Sequence, residues 1–124
     1  GLLILFGLRQ LCQGLCALPP PEGMIWRSPG VPSLLVTYGT ANDLFFSGHT
    51  ALAVYGCLEL ARWGGTPGIV AGALIVVLEV TAVLVLRAHY TMDVFTGAIT
   101  AQWVSGIAVG VATWLDPMLA RLAP

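Results

Sequence analysis

The chain has 124 residues, of which 57% are hydrophobic and 9% charged, against about 25% charged residues in a typical soluble domain. Five arginines, no lysine and six acidic residues leave a net charge of −1, which offers no basic footprint and excludes nucleic acid as a partner. Apolar residues run along nearly the whole chain and not along one stripe of each segment, so the solvent implied is the lipid bilayer.

In chain order, residues 1–18 read as a helix that stops where Pro19-Pro20-Pro21 removes backbone donors. Gly1–Leu8 is already apolar, without a basic flank or a small-residue cleavage site. The expectation is therefore an N-terminally truncated chain with no cleavable leader. Residues 19–44 mix Pro, Gly, Ser and Asn with aromatics. They predict a long loop with a short interfacial helix around 31–36, and Trp26 and Tyr38 suit a membrane-water boundary. Such a loop is placed as a cap over the site.

A second helix is predicted over 47–63, capped by Ser47 and stopped by Gly64-Gly65 and Pro67. A third is predicted over 67–86, long enough at about 1.5 Å per residue to cross a bilayer. A fourth is predicted over 90–114, closed by Asp116-Pro117 and followed by a tail with Arg121. The expected fold is all-α: an integral membrane bundle of about four transmembrane helices, forming a single membrane-embedded domain over 1–124. Cys12, Cys16 and Cys57 lie in apolar helical stretches and make no metal-ligand or disulfide pattern. A reversal at 64–68 brings His49 and His89 to one membrane face, where the first helix also ends. Charge does not orient that face, since Arg27 and Arg87 lie on it while Arg62 and Arg121 lie on the other.

Both histidines stand in polar islands, Asp43-Leu-Phe-Phe-Ser-Gly-His-Thr50 and Arg87-Ala-His-Tyr-Thr-Met-Asp93. Polar groups at membrane depth are costly and are candidates for function. His89 and Asp93 are four residues apart, so on a helix the carboxylate reaches one ring nitrogen and frees the other as nucleophile or base. A structural His–Asp pair fits the same spacing. Ser47-Gly48-His49-Thr50 at a helix start offers free N–H groups to a phosphate, with Gly48 allowing close approach and His49 placed as a general acid. The alternative is a plain Ser cap beside an interfacial His. Arg9 in the first helix either binds phosphate, or snorkels to the interface, or pairs with Glu79, and Glu79 is a partner of Arg9 or Arg87 or an interhelical contact.

These residues resemble the phosphatidic-acid-phosphatase type 2 superfamily, and within it the sphingomyelin-synthase-like branch. That branch carries Cys-Gly-Asp-x-x-x-Ser-Gly-His-Thr. Here Asp43, Ser47, Gly48, His49 and Thr50 fall in register, with Ala41 and Asn42 replacing Cys-Gly. It also carries His-Tyr-Thr-x-Asp-Val, met by His89, Tyr90, Thr91, Asp93 and Val94. A weaker match sets Arg9 and Leu18-Pro19 against an Arg, Thr, Leu-Pro pattern, with Cys16 where Thr is usual.

The resemblance implies a six-helix enzyme acting on a phospholipid or lipid phosphate, with its site on the lumenal, periplasmic or outer side and no metal or other cofactor. His89 is then the nucleophile that forms a phosphohistidine, Asp93 orients it and His49 protonates the leaving alcohol. Arg9, Asp43, Ser47, Gly48, Thr50, Arg87 and Tyr90 are the expected substrate-binding residues. Departures are visible. The superfamily places an Arg where this chain has Val83, for which Arg87 compensates, and its Lys-rich first motif is missing. The synthase branch has Ala-Tyr near 97 and 98 where this chain has Gly97 and Ala98, so choline-lipid specificity is not carried over. Phosphatase and transferase differ only in whether water or a lipid alcohol accepts the group. Two other classes stay open: an intramembrane serine hydrolase using Ser47, although no Gly-x-Ser-x-Gly elbow is present, and a non-enzymatic membrane protein or inactive paralogue.

Overall fold

The computed structural model describes residues 1–16, 18–25 and 45–121. Among these residues the chain is helical without strands, in the order α1 (Leu2–Leu15), α2 (Gly48–Val85) and α3 (Thr91–Ala120). The cap predicted over 19–44, its short helix, Trp26, Tyr38 and Asp43 lie largely or wholly outside the described residues.

Three helical elements occur among the described residues, where four transmembrane helices are expected, because the second and third predicted segments run on as one element with a break inside it. α2 continues past Trp63 but is broken at Gly65, whose φ of 55° and ψ of −143° are open to glycine and strained for other residues. The chain folds back on itself there. A Cβ at Gly68 would run into the Leu60 carbonyl oxygen, and one at Gly72 would lie 2.8 Å from Cα of Cys57. In a straight helix Leu60 and Gly68 would be about 12 Å apart, so α2 is two antiparallel legs in close backbone contact.

α1 ends three residues earlier than predicted, with Cys16 already extended at φ −128° and ψ 93°. α3 runs past Trp114, and Pro117 lies inside it. A proline this near an exposed helix end frees only one carbonyl, which solvent or headgroups can serve. α2 and α3 are long and apolar enough to cross a membrane. In their most apolar stretches only 17% and 28% of the residues are buried. A core helix of a soluble protein would be mostly buried, so these exposed apolar faces fit lipid contact.

Two clusters set the position of the site. Leu5 from α1, Phe46 and Ala51 at the start of α2, and Ala101 and Val104 from α3 form one buried core. Val83, Ala88 and Val94 form the other, at the turn from α2 into α3. That turn is a Schellman closure: Arg87 N–H donates to Leu84 O at 3.1 Å and Ala88 N–H to Val83 O at 2.8 Å. The left-handed position usually taken by glycine is held by Arg87, with φ 51°, at a cost of about 1 kcal/mol. His89 follows immediately.

Candidate active site

The second polar island is built around a buried carboxylate. Tyr90 is the N-cap of α3, and its N–H donates to Asp93 Oδ2 at 2.9 Å. Asp93 is 1% exposed, and the same oxygen lies 3.6 Å from Nδ1 of His89, whose side chain is 8% exposed. That nitrogen is buried with no hydrogen-bond partner among the described residues, so the carboxylate is the group it faces. The pair does not arise as the i,i+4 spacing alone suggests. His89 precedes the helix, and Asp93 reaches back over the N-cap to meet it. Nε2 is left as the ring nitrogen turned away from Asp93.

The first island is the N-terminus of α2. Ser47 is its N-cap, and the Ser47 hydroxyl oxygen accepts from Thr50 N–H at 3.3 Å and from the Thr50 hydroxyl at 3.0 Å. Both side chains are fully buried. Ser47→Ala would strip both Thr50 donors of their partner, and is expected to lower stability by about 1–2 kcal/mol while leaving turnover within a few-fold of wild type. Thermal unfolding in detergent beside an activity assay checks this. A nucleophilic Ser47 would instead show complete loss of turnover.

One backbone bond ties the islands together: Ser47 N–H donates to Asp93 O at 3.1 Å. Arg9 comes to the same place from α1, since a Cβ at Gly48 would lie 2.8 Å from Nε of Arg9. The guanidinium thus rests against the glycine that opens α2. His49, on the first turn of α2, is within electrostatic range of Glu79, His89 and Arg9. The structure therefore gathers Arg9, Ser47, Gly48, His49, Thr50, His89 and Asp93 at one end of the helices.

Two further expected substrate-binding residues flank His89 with exposed side chains. Arg87 is exposed and donates through Nη1 to Glu22 O at 3.4 Å, which ties it to the segment over 18–25. Val83, where the superfamily has an Arg, is buried in the apolar cluster. Tyr90 contributes its backbone to Asp93 and leaves its side chain 39% exposed.

Sequence reasoning leaves Glu79 ambiguous, and its proximity to His49 is new. The signal is in the hairpin: if Leu60 faces Gly68 and Cys57 faces Gly72, the same register sets position 79 opposite position 49. Reflection about Gly64 would have found it.

Residues 40–109 match the family model described as PAP2 superfamily C-terminal. No curated protein and no solved structure matches the chain. The matched stretch contains both islands and the whole of α2.

Proposed function

The chain belongs to the PAP2 superfamily C-terminal family, whose model matches more than half of it, and we propose that it is a lipid phosphatase or phosphotransferase working through a phosphohistidine. Membership of the family suggests a phosphatase-type enzyme. The observation that carries the finer proposal is the joining of the two islands by the Ser47–Asp93 backbone bond, which supports a reading in which both imidazoles serve one phosphate-sized space at that end of the bundle.

The proposed reaction has two steps. The lone pair on Nε2 of His89 attacks phosphorus while Asp93, beside Nδ1, stabilises the charge that develops on the ring. The bond from phosphorus to the leaving alcohol breaks, and His49 donates a proton to that oxygen. Arg9 and the N-terminal amides of α2 hold the equatorial oxygens. A hydroxyl, from water or a lipid alcohol, then attacks the phosphohistidine. His49 takes its proton and the phosphorus–nitrogen bond breaks. Glu79, within electrostatic range of His49, is the carboxylate proposed to stabilise positive charge on that ring. The proposed substrate-binding set keeps Asp43, Arg87 and Tyr90, and the proposed face of the site is the outer, periplasmic or lumenal one.

The proposal is set at superfamily level. The family match does not support the sphingomyelin-synthase-like branch, and a Cβ at position 97, where that branch has Ala, would lie 2.6 Å from Ser47 O. The test is to incubate the full-length protein with phosphorus-labelled lipid phosphates and EDTA and to quench rapidly. A labelled protein band that is acid-labile and alkali-stable, and absent from His89→Ala, is expected. Turnover indifferent to His89, or a label with the opposite stability, would overturn the mechanism.

A further inference from the structure

Away from the candidate active site, the start of α1 and the facing sides of α2 and α3 enclose an open groove of about 340 Å³ that the proposed reaction does not use. Part of its polar wall is a connected cluster. Arg62 donates one guanidinium nitrogen to Glu59. The other goes to the Ser105 hydroxyl at 2.6 Å and to the Ser105 carbonyl at 3.4 Å. Ser105 is buried at 2% exposure, so the guanidinium is anchored across the seam between α2 and α3. Asp116 from α3 and Tyr55 and Trp63 from α2 also line the groove.

The depth of the groove is set by the helix. His49 and Trp63 are about 14 residues apart on one leg of α2, a rise of roughly 21 Å. Trp63 and Trp114 are both exposed, as tryptophans at a second membrane-water boundary are. From that level the groove runs inward past the apolar Ala108 and Val109.

The charges select the occupant. Two carboxylates stand against one guanidinium, beside two aromatic faces. A simple anion would meet Glu59 and Asp116 as well as Arg62, and a simple cation would meet Arg62. A headgroup bearing both charges satisfies the set: phosphate toward the guanidinium, and ammonium toward the carboxylates and the indole face. We propose that this groove binds a zwitterionic phospholipid of the leaflet opposite the candidate active site, with its acyl chains lying along Ala108 and Val109. The site is separate from the proposed reaction, and its lipid is not the substrate.

The experiment is native mass spectrometry of the full-length protein in the His89→Ala background, so that no bound lipid is turned over. Dioleoyl phosphatidylcholine is titrated against dioleoyl phosphatidylglycerol. The expected result is about tenfold tighter retention of phosphatidylcholine, as one cation–aromatic contact plus one ion pair would give. That preference should vanish in Asp116→Asn and in Trp63→Ala, whose side chains are exposed and outside the core. Equal retention of the two lipids, or a preference unchanged by both groove variants, would overturn the proposal. Soluble phosphocholine binding as tightly as the lipid would overturn the assignment to a membrane lipid.

Discussion

Asp93→Asn is expected to lower kcat about 10³-fold while leaving the fold intact, and His89→Ala to remove turnover altogether. The substitution is nearly isosteric in a site that is 1% exposed. The carboxamide oxygen can still accept the Tyr90 N–H that Asp93 Oδ2 accepts at 2.9 Å. What changes is the face presented to Nδ1 of His89 at 3.6 Å. A carboxylate favours the tautomer with a proton on Nδ1 and a lone pair on Nε2, and in the proposed reaction it stabilises the imidazolium-like charge that phosphorylation would place on the ring. An amide does neither, and a wrong tautomer in a comparable His–Asp pair costs up to about 10⁴ in rate. A 10³-fold loss corresponds to about 4 kcal/mol of transition-state stabilisation. Steady-state kinetics on any lipid phosphate that the wild type turns over, with circular dichroism to verify the helices, is the measurement. An Asp93→Asn variant keeping a tenth or more of wild-type kcat would remove Asp93 from the mechanism.

How much of this was legible in the sequence depends on the range of the signal. The all-helical class follows from long apolar runs punctuated by Pro and Gly, and the two polar islands are visible because their His, Asp, Ser, Thr and Arg residues stand out from an apolar background. The His89–Asp93 pair is legible as a spacing but not as a geometry. The four-residue interval fits a helical face, whereas Schellman closure at Arg87 leaves His89 outside α3 and Asp93 reaching back to it. The stop signals at Gly64-Gly65 and Pro67 place the reversal, which falls at Gly65, but they do not tell a loop between two helices from a break inside one continuous element. Arg87 looks like a phosphate ligand because it is two residues from His89. Its Nη1 donates to the Glu22 carbonyl, 65 residues away in sequence, and no local pattern encodes that contact. Close approaches are equally hidden, since a glycine against a carbonyl and a glycine facing lipid read alike.

Gly97 is the sharpest case of that ambiguity, and it gives the second large effect. An alanine Cβ there would lie 2.6 Å from Ser47 O and 3.5 Å from both Ala51 N and Cδ2 of Phe46. The nearest of these is backbone, at the N-cap of α2, and Phe46 is fully buried, so neither neighbour yields by turning a rotamer. Relief requires α3 to move away from the start of α2, which stretches the Ser47–Asp93 bond and separates His49 from His89. Gly106 lies on the same helix with nothing within 4 Å of its Cβ position. Gly106→Ala is therefore expected to stabilise by up to about 1 kcal/mol through helix propensity. Gly97→Ala is expected to destabilise by about 1–3 kcal/mol through overpacking, so one substitution at two sites on one helix has opposite signs. Turnover should separate the pair further, because a displacement near 1 Å between reacting groups can cost about 10²-fold. Thermal unfolding and kcat of both variants decide the matter. If Gly97→Ala behaved like Gly106→Ala in both, the close contact between α2 and α3 would have no part in aligning the two histidines.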